Sequence, residues 1–192
     1  MRSFLAVAVR EPALSRAGVL LHELASAIPG RDCRWVREDG LHLTLHFFEE
    51  LDEARVGEVM AAVAPAAAAA TPFPLALGGL GSFPPRGAPR VLWLGVVGGL
   101  QPLAALALDC QERIRAAGFE VEERPFAAHC TLGRPRPAWP AAARAAWAAA
   151  AAREVELPRF TVDRLTLFRS RPRPYGAEYS VVEELPLGPR GD

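Results

Sequence analysis

The chain has 192 residues, half of them hydrophobic, and its 22 basic and 22 acidic side chains cancel to a formal charge of zero. That is material for one large domain or two small lobes on a shared core, and it excludes a protein that grips long duplex nucleic acid by bulk electrostatics. Every basic residue is arginine and asparagine is absent, which excludes lysine-adenylate ligation, Schiff-base chemistry, a Walker-type phosphate loop and a Cys-His-Asn triad.

Ser3 to Val9 reads as an opening strand; its apolar run is too short to span a membrane, and Arg10, Glu11 and Pro12 interrupt it where a signal peptide needs small residues. Pro12 starts an amphipathic helix with Leu20, Leu21, Leu24 and Ile28 on one face, and Pro29-Gly30 stops it. Cys33 to Val36 is a short strand, Asp39-Gly40 a turn, and Leu41 to Phe48 the next strand. Asp52 caps a helix to about Val63, with the alanine run 66–70 behind it. Phe73 to Phe83 is a strand whose Gly78, Gly79 and Gly81 predict a bulge or bend. A proline-rich loop leads to a strand over Arg90 to Val97.

The second half repeats this grammar. A helix runs from about Leu100 to Ala117 and is closed by Gly118. Phe119 to Glu123 and Phe126 to Gly133 read as strands, 137–153 as an alanine-rich helix anchored by Trp139 and Trp147, and Val155 to Phe168 and Tyr179 to Leu187 as the last strands. Many strands are joined as hairpins, so the pattern predicts α+β with antiparallel sheets and not a doubly wound parallel fold. The three cysteines, Cys33, Cys110 and Cys130, are odd in number and widely spaced, which argues against a disulfide framework and for a reducing cytoplasm.

One motif occurs in both halves: His42-Leu43-Thr44-Leu45 and His129-Cys130-Thr131-Leu132. Two of the chain's four histidines thus stand before Thr-Leu at the same spacing. On a strand, residues two apart share a face, so His42 projects with Thr44 and His129 with Thr131, while Leu41, Leu43, Leu45 and Phe47 are predicted behind the first pair. Two such strands side by side offer two imidazoles and two hydroxyls to one cleft. An imidazole titrates near pH 6.5, so one ring can take a proton from an attacking oxygen while the other gives one to a leaving oxygen. The hydroxyls can donate to phosphate oxygens. A metal site is disfavoured: on a strand His42 and His46 lie about 13 Å apart, and Cys130 points away from His129. His46 is predicted on the His42 face, as a substrate contact or a plain surface residue.

The paired motifs resemble those of the 2H phosphoesterase superfamily and, within it, the RNA 2′,3′-cyclic phosphodiesterase / 2′-5′ RNA ligase family. Trp35-Val36, Gly81-Ser-Phe-Pro84, the stretch 89–96, Phe126 to Arg134 and Tyr175-Gly-Ala-Glu-Tyr179 extend the likeness over nearly the whole chain. The resemblance implies a bilobal, pseudo-twofold fold, 1–192 as one unit, with two antiparallel sheets flanked by helices and the motifs in a central cleft. It implies hydrolysis of an RNA 2′,3′-cyclic phosphate end to a 2′-phosphate, reversible 2′-5′ joining, and no metal, ATP or other cofactor. His42, Thr44, His129 and Thr131 become the catalytic set and Arg134 the phosphate contact, with His42 as acid and His129 as base the working assignment. The expected partner is RNA with a cyclic-phosphate end, and the expected state a cytoplasmic monomer with no membrane attachment. Ala128, where the family usually has proline, and Glu49, where it usually has glycine, put local strand geometry and substrate preference in question. The motifs read phosphate and not the base. A phosphodiesterase for another cyclic or 2′-5′-linked nucleotide, or an RNA-end binding module with vestigial chemistry, therefore remain alternatives.

Overall fold

In a computed structural model of the chain, which describes residues 1–28, 33–173 and 176–188, four helices and nine strands alternate much as the hydrophobic pattern predicts. In chain order they are β1 (Ser3–Ala8), α1 (Ala13–Ala27), β2 (Cys33–Trp35), β3 (His42–Phe48), α2 (Val56–Ala69), β4 (Phe73–Phe83), β5 (Val91–Gly98), α3 (Leu100–Ala116), β6 (Cys130–Pro135), α4 (Ala141–Ala151), β7 (Phe160–Val162), β8 (Arg164–Arg173) and β9 (Gly176–Pro186). The Pro29-Gly30 stop signal and Tyr175 lie outside the described residues.

The α+β, antiparallel reading holds. The two expected sheets run together as one hydrogen-bonded path, β7-β4-β5-β6-β3-β1-β8-β9, with β2 added on β6. Two wings are visible within it: β4, β5 and β6 on one side, and β3, β1, β8 and β9 on the other. A single registered pair, Leu43 with Cys130, joins them through β3 and β6. All four helices bury their apolar faces against one side of this sheet, in a cluster that unites Leu20, Val59, Leu103 and Trp147 with strand residues such as Leu5, Leu43, Leu77 and Leu132. Each fully buried leucine contributes roughly 1.5–3 kcal/mol by leaving water. Among the described residues the opposite, concave side carries a small separate cluster of Phe4, Ala6 and Phe168, with Ala8 and Tyr179 packed against it.

Four local expectations change. Asp52 caps a short 3-10 turn, its side chain accepting from Ala54 N at 3.0 Å, and α2 then runs through the alanine stretch because Ala66 and Ala67 are buried. The strand predicted over Phe119 to Glu123 is absent: Phe119 and Val121 are half-buried against the core while Glu120, Glu122 and Glu123 are exposed, but no neighbouring strand pairs with them. The strand predicted from Phe126 begins at Cys130, so His129 stands immediately before β6. The long strand predicted over Val155 to Phe168 is divided at Asp163 into β7, which pairs with β4, and β8, which pairs with β1. Among the described residues no helix is long and apolar enough to cross a membrane.

Candidate active site

The site follows from register. Because β3 and β6 are antiparallel and Leu43 faces Cys130, His42 stands opposite Thr131 and Thr44 opposite His129. Leu43 and Cys130 point into the core, at 0% and 1% exposure, so their four neighbours point the other way, into the concave face. The histidines lie diagonally across a local two-fold axis, a relation that sets Cα atoms roughly 7–8 Å apart. That gap suits two imidazoles reaching for one phosphate.

Both rings are anchored alike. His42 Nδ1 lies 2.6 Å from Gly40 O, and His129 Nδ1 lies 2.7 Å from Ala127 O. In each case the partner is the carbonyl two residues upstream. A carbonyl can only accept, so Nδ1 carries the proton and Nε2 is left as the unprotonated nitrogen of each neutral ring.

The repeat extends to an irregularity that alternation does not reveal. Pairing with β1 jumps from Leu5–His46 to Ala6–Thr44, which leaves Leu45 as an extra residue. Pairing of β6 with β5 jumps from Leu92–Gly133 to Trp93–Thr131, which leaves Leu132 extra. Each bulge falls on the leucine of its motif and reverses which side later residues face. In β6 this turns Arg134 to the side of His129 and Thr131; regular alternation would send it to the core side. Arg134 is exposed and forms no ion pair among the described residues.

In β3 the same reversal corrects two expectations. His46 does not share the face of His42: it is 5% exposed, packs edge-on against Phe48 at 4.4 Å, and its Nε2 has no hydrogen-bond partner. Phe47 does not join the apolar face but is 39% exposed. Burial pushes the His46 pKa down to about 4.

The surroundings of the two motif histidines differ. Phe4 stacks on His42 at 4.3 Å, Tyr179 meets it edge-on at 5.1 Å, and Phe168 lies at 5.9 Å. Ala6 and Ala8, on the same face of β1 as Phe4, are small enough to let the Phe4 and His42 rings approach along the sheet. Tyr179 also closes on Gly40, where an added Cβ would sit 3.0 Å from its ring. Among the described residues His129 has one aromatic neighbour, Phe83, edge-on at 5.0 Å. Phe83 leans on Trp93, whose ring lies across Gly81 and leaves no room there for a Cβ.

Desolvation lowers the His42 pKa to about 4, opposed by the Gly40 carbonyl and aided by the nearby His129 and Arg134 charges. His129 is lowered in the same way, by burial first and by Arg134. Both rings are therefore neutral in the unliganded protein near pH 7. Burial lifts the Cys130 thiol to about 12, so it offers no thiolate beside His129.

The aromatic residues around His42 escape a motif search, although β1 carries a signal for them. Its residues Ser3 to Val7 are all buried, and a strand without alternation must cover both of its faces. Of the arginines late in the chain, Arg169 is paired with Glu53 and Arg173 with Glu178. A concavity of about 500 Å³ lies on the helical side between α2 and α3. It is lined by groups such as Ala66, Phe73 and Leu106, with Asp109 the one charged residue, and neither histidine reaches it. A polar hollow of about 140 Å³ bounded by Arg37, Asp39, Gly40 and Tyr179 adjoins His42 instead. Among the described residues no three His, Cys, Asp or Glu side chains converge as a metal cluster would require.

Residues 16–173 match the model of the 2′-5′ RNA ligase superfamily. A protein named RNA 2′,3′-cyclic phosphodiesterase from Geobacillus stearothermophilus is 36% identical over 131 residues, which is 68% of this chain and 41% of that one. A protein of the same name from Thermotoga maritima is 30% identical over 189 residues, covering 96% of this chain and 94% of its own. Among solved structures, TT0787 of Thermus thermophilus superposes over the full length of both chains with a TM-score of 0.79 at 27% identity. E. coli LigT complexed with 3′-AMP superposes with a TM-score of 0.73 at 25% identity, over 97% of each chain.

Proposed function

Because the chain belongs to the 2′-5′ RNA ligase superfamily, we propose that it opens RNA 2′,3′-cyclic phosphate ends, with His42 and His129 as its acid–base pair. Water attacks phosphorus while one neutral imidazole Nε2 accepts its proton. The P–O3′ bond breaks, the other imidazole, protonated, gives its proton to O3′, and a 2′-phosphate with a free 3′-hydroxyl remains. Thr44 and Thr131 donate to the non-bridging oxygens, and Arg134 adds a charge-assisted contact to the phosphate. Neither a metal ion nor ATP takes part in this scheme. With the 5′-hydroxyl of another strand in place of water, the same displacement breaks P–O3′ and joins the cyclic-phosphate end to that strand through a 2′-5′ bond; the 3′-hydroxyl reverses the joining by attacking phosphorus and expelling the 5′-hydroxyl.

The observation that carries this reading is the Leu43–Cys130 register, which supports two identically anchored imidazoles facing one gap. The acid must be protonated although burial holds both rings neutral. An incoming phosphate anion supplies the missing counter-charge and raises the pKa of the ring that it touches. His42, in its aromatic surroundings, yields the more acidic imidazolium, which suits it to drive the departure of O3′. We further propose that residues 1–192 act as one bilobal, monomeric, cytoplasmic unit.

The test is a product assay. A short RNA ending in 2′,3′-cyclic phosphate is incubated with the protein in EDTA, and the surviving phosphate position is read. A 2′-phosphate is expected; a 3′-phosphate, or turnover that disappears with EDTA, overturns the scheme.

A further inference from the structure

The bulges at Leu45 and Leu132 make residue five after each histidine face the concave side. In the second motif that residue is Arg134. In the first it is Phe47, which is not a cation but carries one: the Arg2 guanidinium lies 5.3 Å from the centroid of its ring. Arg2 precedes β1 on the face of Phe4, Ala6 and Ala8, and Phe4 pairs directly with Phe47. The local two-fold therefore sets an arginine charge beyond each motif, one supplied directly and one through a neighbouring strand.

What distinguishes Arg2 is how it is held. Arg169 and Arg173 are fixed by carboxylates that cancel their charge. Arg2 is exposed, and none of the ion pairs among the described residues includes it. An aromatic face fixes a guanidinium by its quadrupole and leaves the full positive charge to act outward. That charge is felt at Tyr179, beside His42, where Arg2 and Arg134 both pull the phenol pKa down against the larger, raising effect of burial.

We propose that Arg2, seated on Phe47, is the subsite for the RNA body: it binds the phosphodiester immediately 5′ of the cyclic-phosphate nucleoside. This rests on the proposed reaction and names its substrate as an oligonucleotide end in preference to a free cyclic nucleotide. Phe47 is a positioning residue, holding the guanidinium along the concave face without neutralising it.

The experiment compares kcat/KM on cytidine 2′,3′-cyclic phosphate, which has no second phosphate, with kcat/KM on the dinucleotide CpC ending in 2′,3′-cyclic phosphate. The protein is expected to prefer the dinucleotide. In Arg2→Gln that preference falls about tenfold, as loss of one charge-assisted phosphate contact requires, while Arg2→Lys keeps most of it. Phe47→Leu, which keeps an apolar side chain at the site, also reduces the preference. The log–log salt dependence of KM for the dinucleotide loses about 0.7 in slope in Arg2→Gln. Absence of turnover on both substrates removes the reaction itself and the subsite with it. Turnover of both with the preference intact in Arg2→Gln and Phe47→Leu removes the subsite alone. So does an equal loss on both substrates.

Discussion

The two wings share a backbone plan and differ in side chains. Each brings a His-x-Thr-Leu strand to the junction, anchors its imidazole on the carbonyl two residues before, and carries a bulge at the motif's leucine. Around His42 the plan is filled with Phe4, Phe168 and Tyr179; around His129, among the described residues, with Phe83 alone. β3 is paired along its length with β1, whereas residues 119–129, ahead of β6, belong to no strand. Backbone symmetry thus sets where the two rings stand, and side-chain asymmetry sets how readily each takes a proton.

The largest effect expected concerns the symmetric part. His42→Ala and His129→Ala should each lower kcat on a cyclic-phosphate end by about 10²–10⁴-fold, and the double variant should be little worse than either, as groups acting in one proton circuit are not additive. A fully additive double variant would break the pairing. Next in size, Thr44→Val and Thr131→Val should each cost about 10–100-fold in kcat/KM, the worth of one hydrogen bond to a charged phosphate. A loss confined to one threonine would show that the two-fold does not extend to substrate.

The asymmetric part is read by pH. Free His129 is lowered below its ordinary 6.5 and His42 to about 4, so the protonated acid is lost as pH rises through values under 6.5. The kcat/KM profile should be a bell on the acid side of neutrality, and the kcat profile should lie higher, because bound phosphate restores the proton. A kcat/KM plateau reaching about pH 8 would contradict the burial of His42.

The smallest effect lies behind the site. His46 is neutral in the fold with a pKa of about 4, against about 6.5 unfolded, so between these values the unfolded chain binds a proton that the fold refuses. Stability drains away as pH falls through that window. His46→Leu removes both this penalty and the unpartnered Nε2, and should raise stability at about pH 5 by about 1–2 kcal/mol in urea titrations. At about pH 8 the gain should shrink.

Much of this is legible in the residues. The strands at 3–9, 41–48 and 73–83, and the helices from Pro12 and Leu100, follow from period and caps, and the motif itself points to two histidines on one face. Two things are not. Nothing in His-Leu-Thr-Leu-His-Phe-Phe distinguishes a regular strand from one with Leu45 extra, since both keep leucines on the core side up to that point; the pairing partner decides it. Alternation accordingly assigns His46 and Phe47 to each other's faces, whereas Arg134, carried over from family likeness, is turned to the concave face by the same kind of device. The strand expected over 119–123 fails for a different reason. Its β-forming Phe119 and Val121 alternate well, but in this topology no neighbouring strand accepts them.

The lone Leu43–Cys130 rung acts as a ruler. Because the two motif imidazoles sit one residue to either side of this registered pair, their separation follows the fixed pitch of a β-ladder. Insertions or deletions in the connections between strands leave that gauge untouched, so the outer parts of the molecule are free to diverge around an unchanging distance.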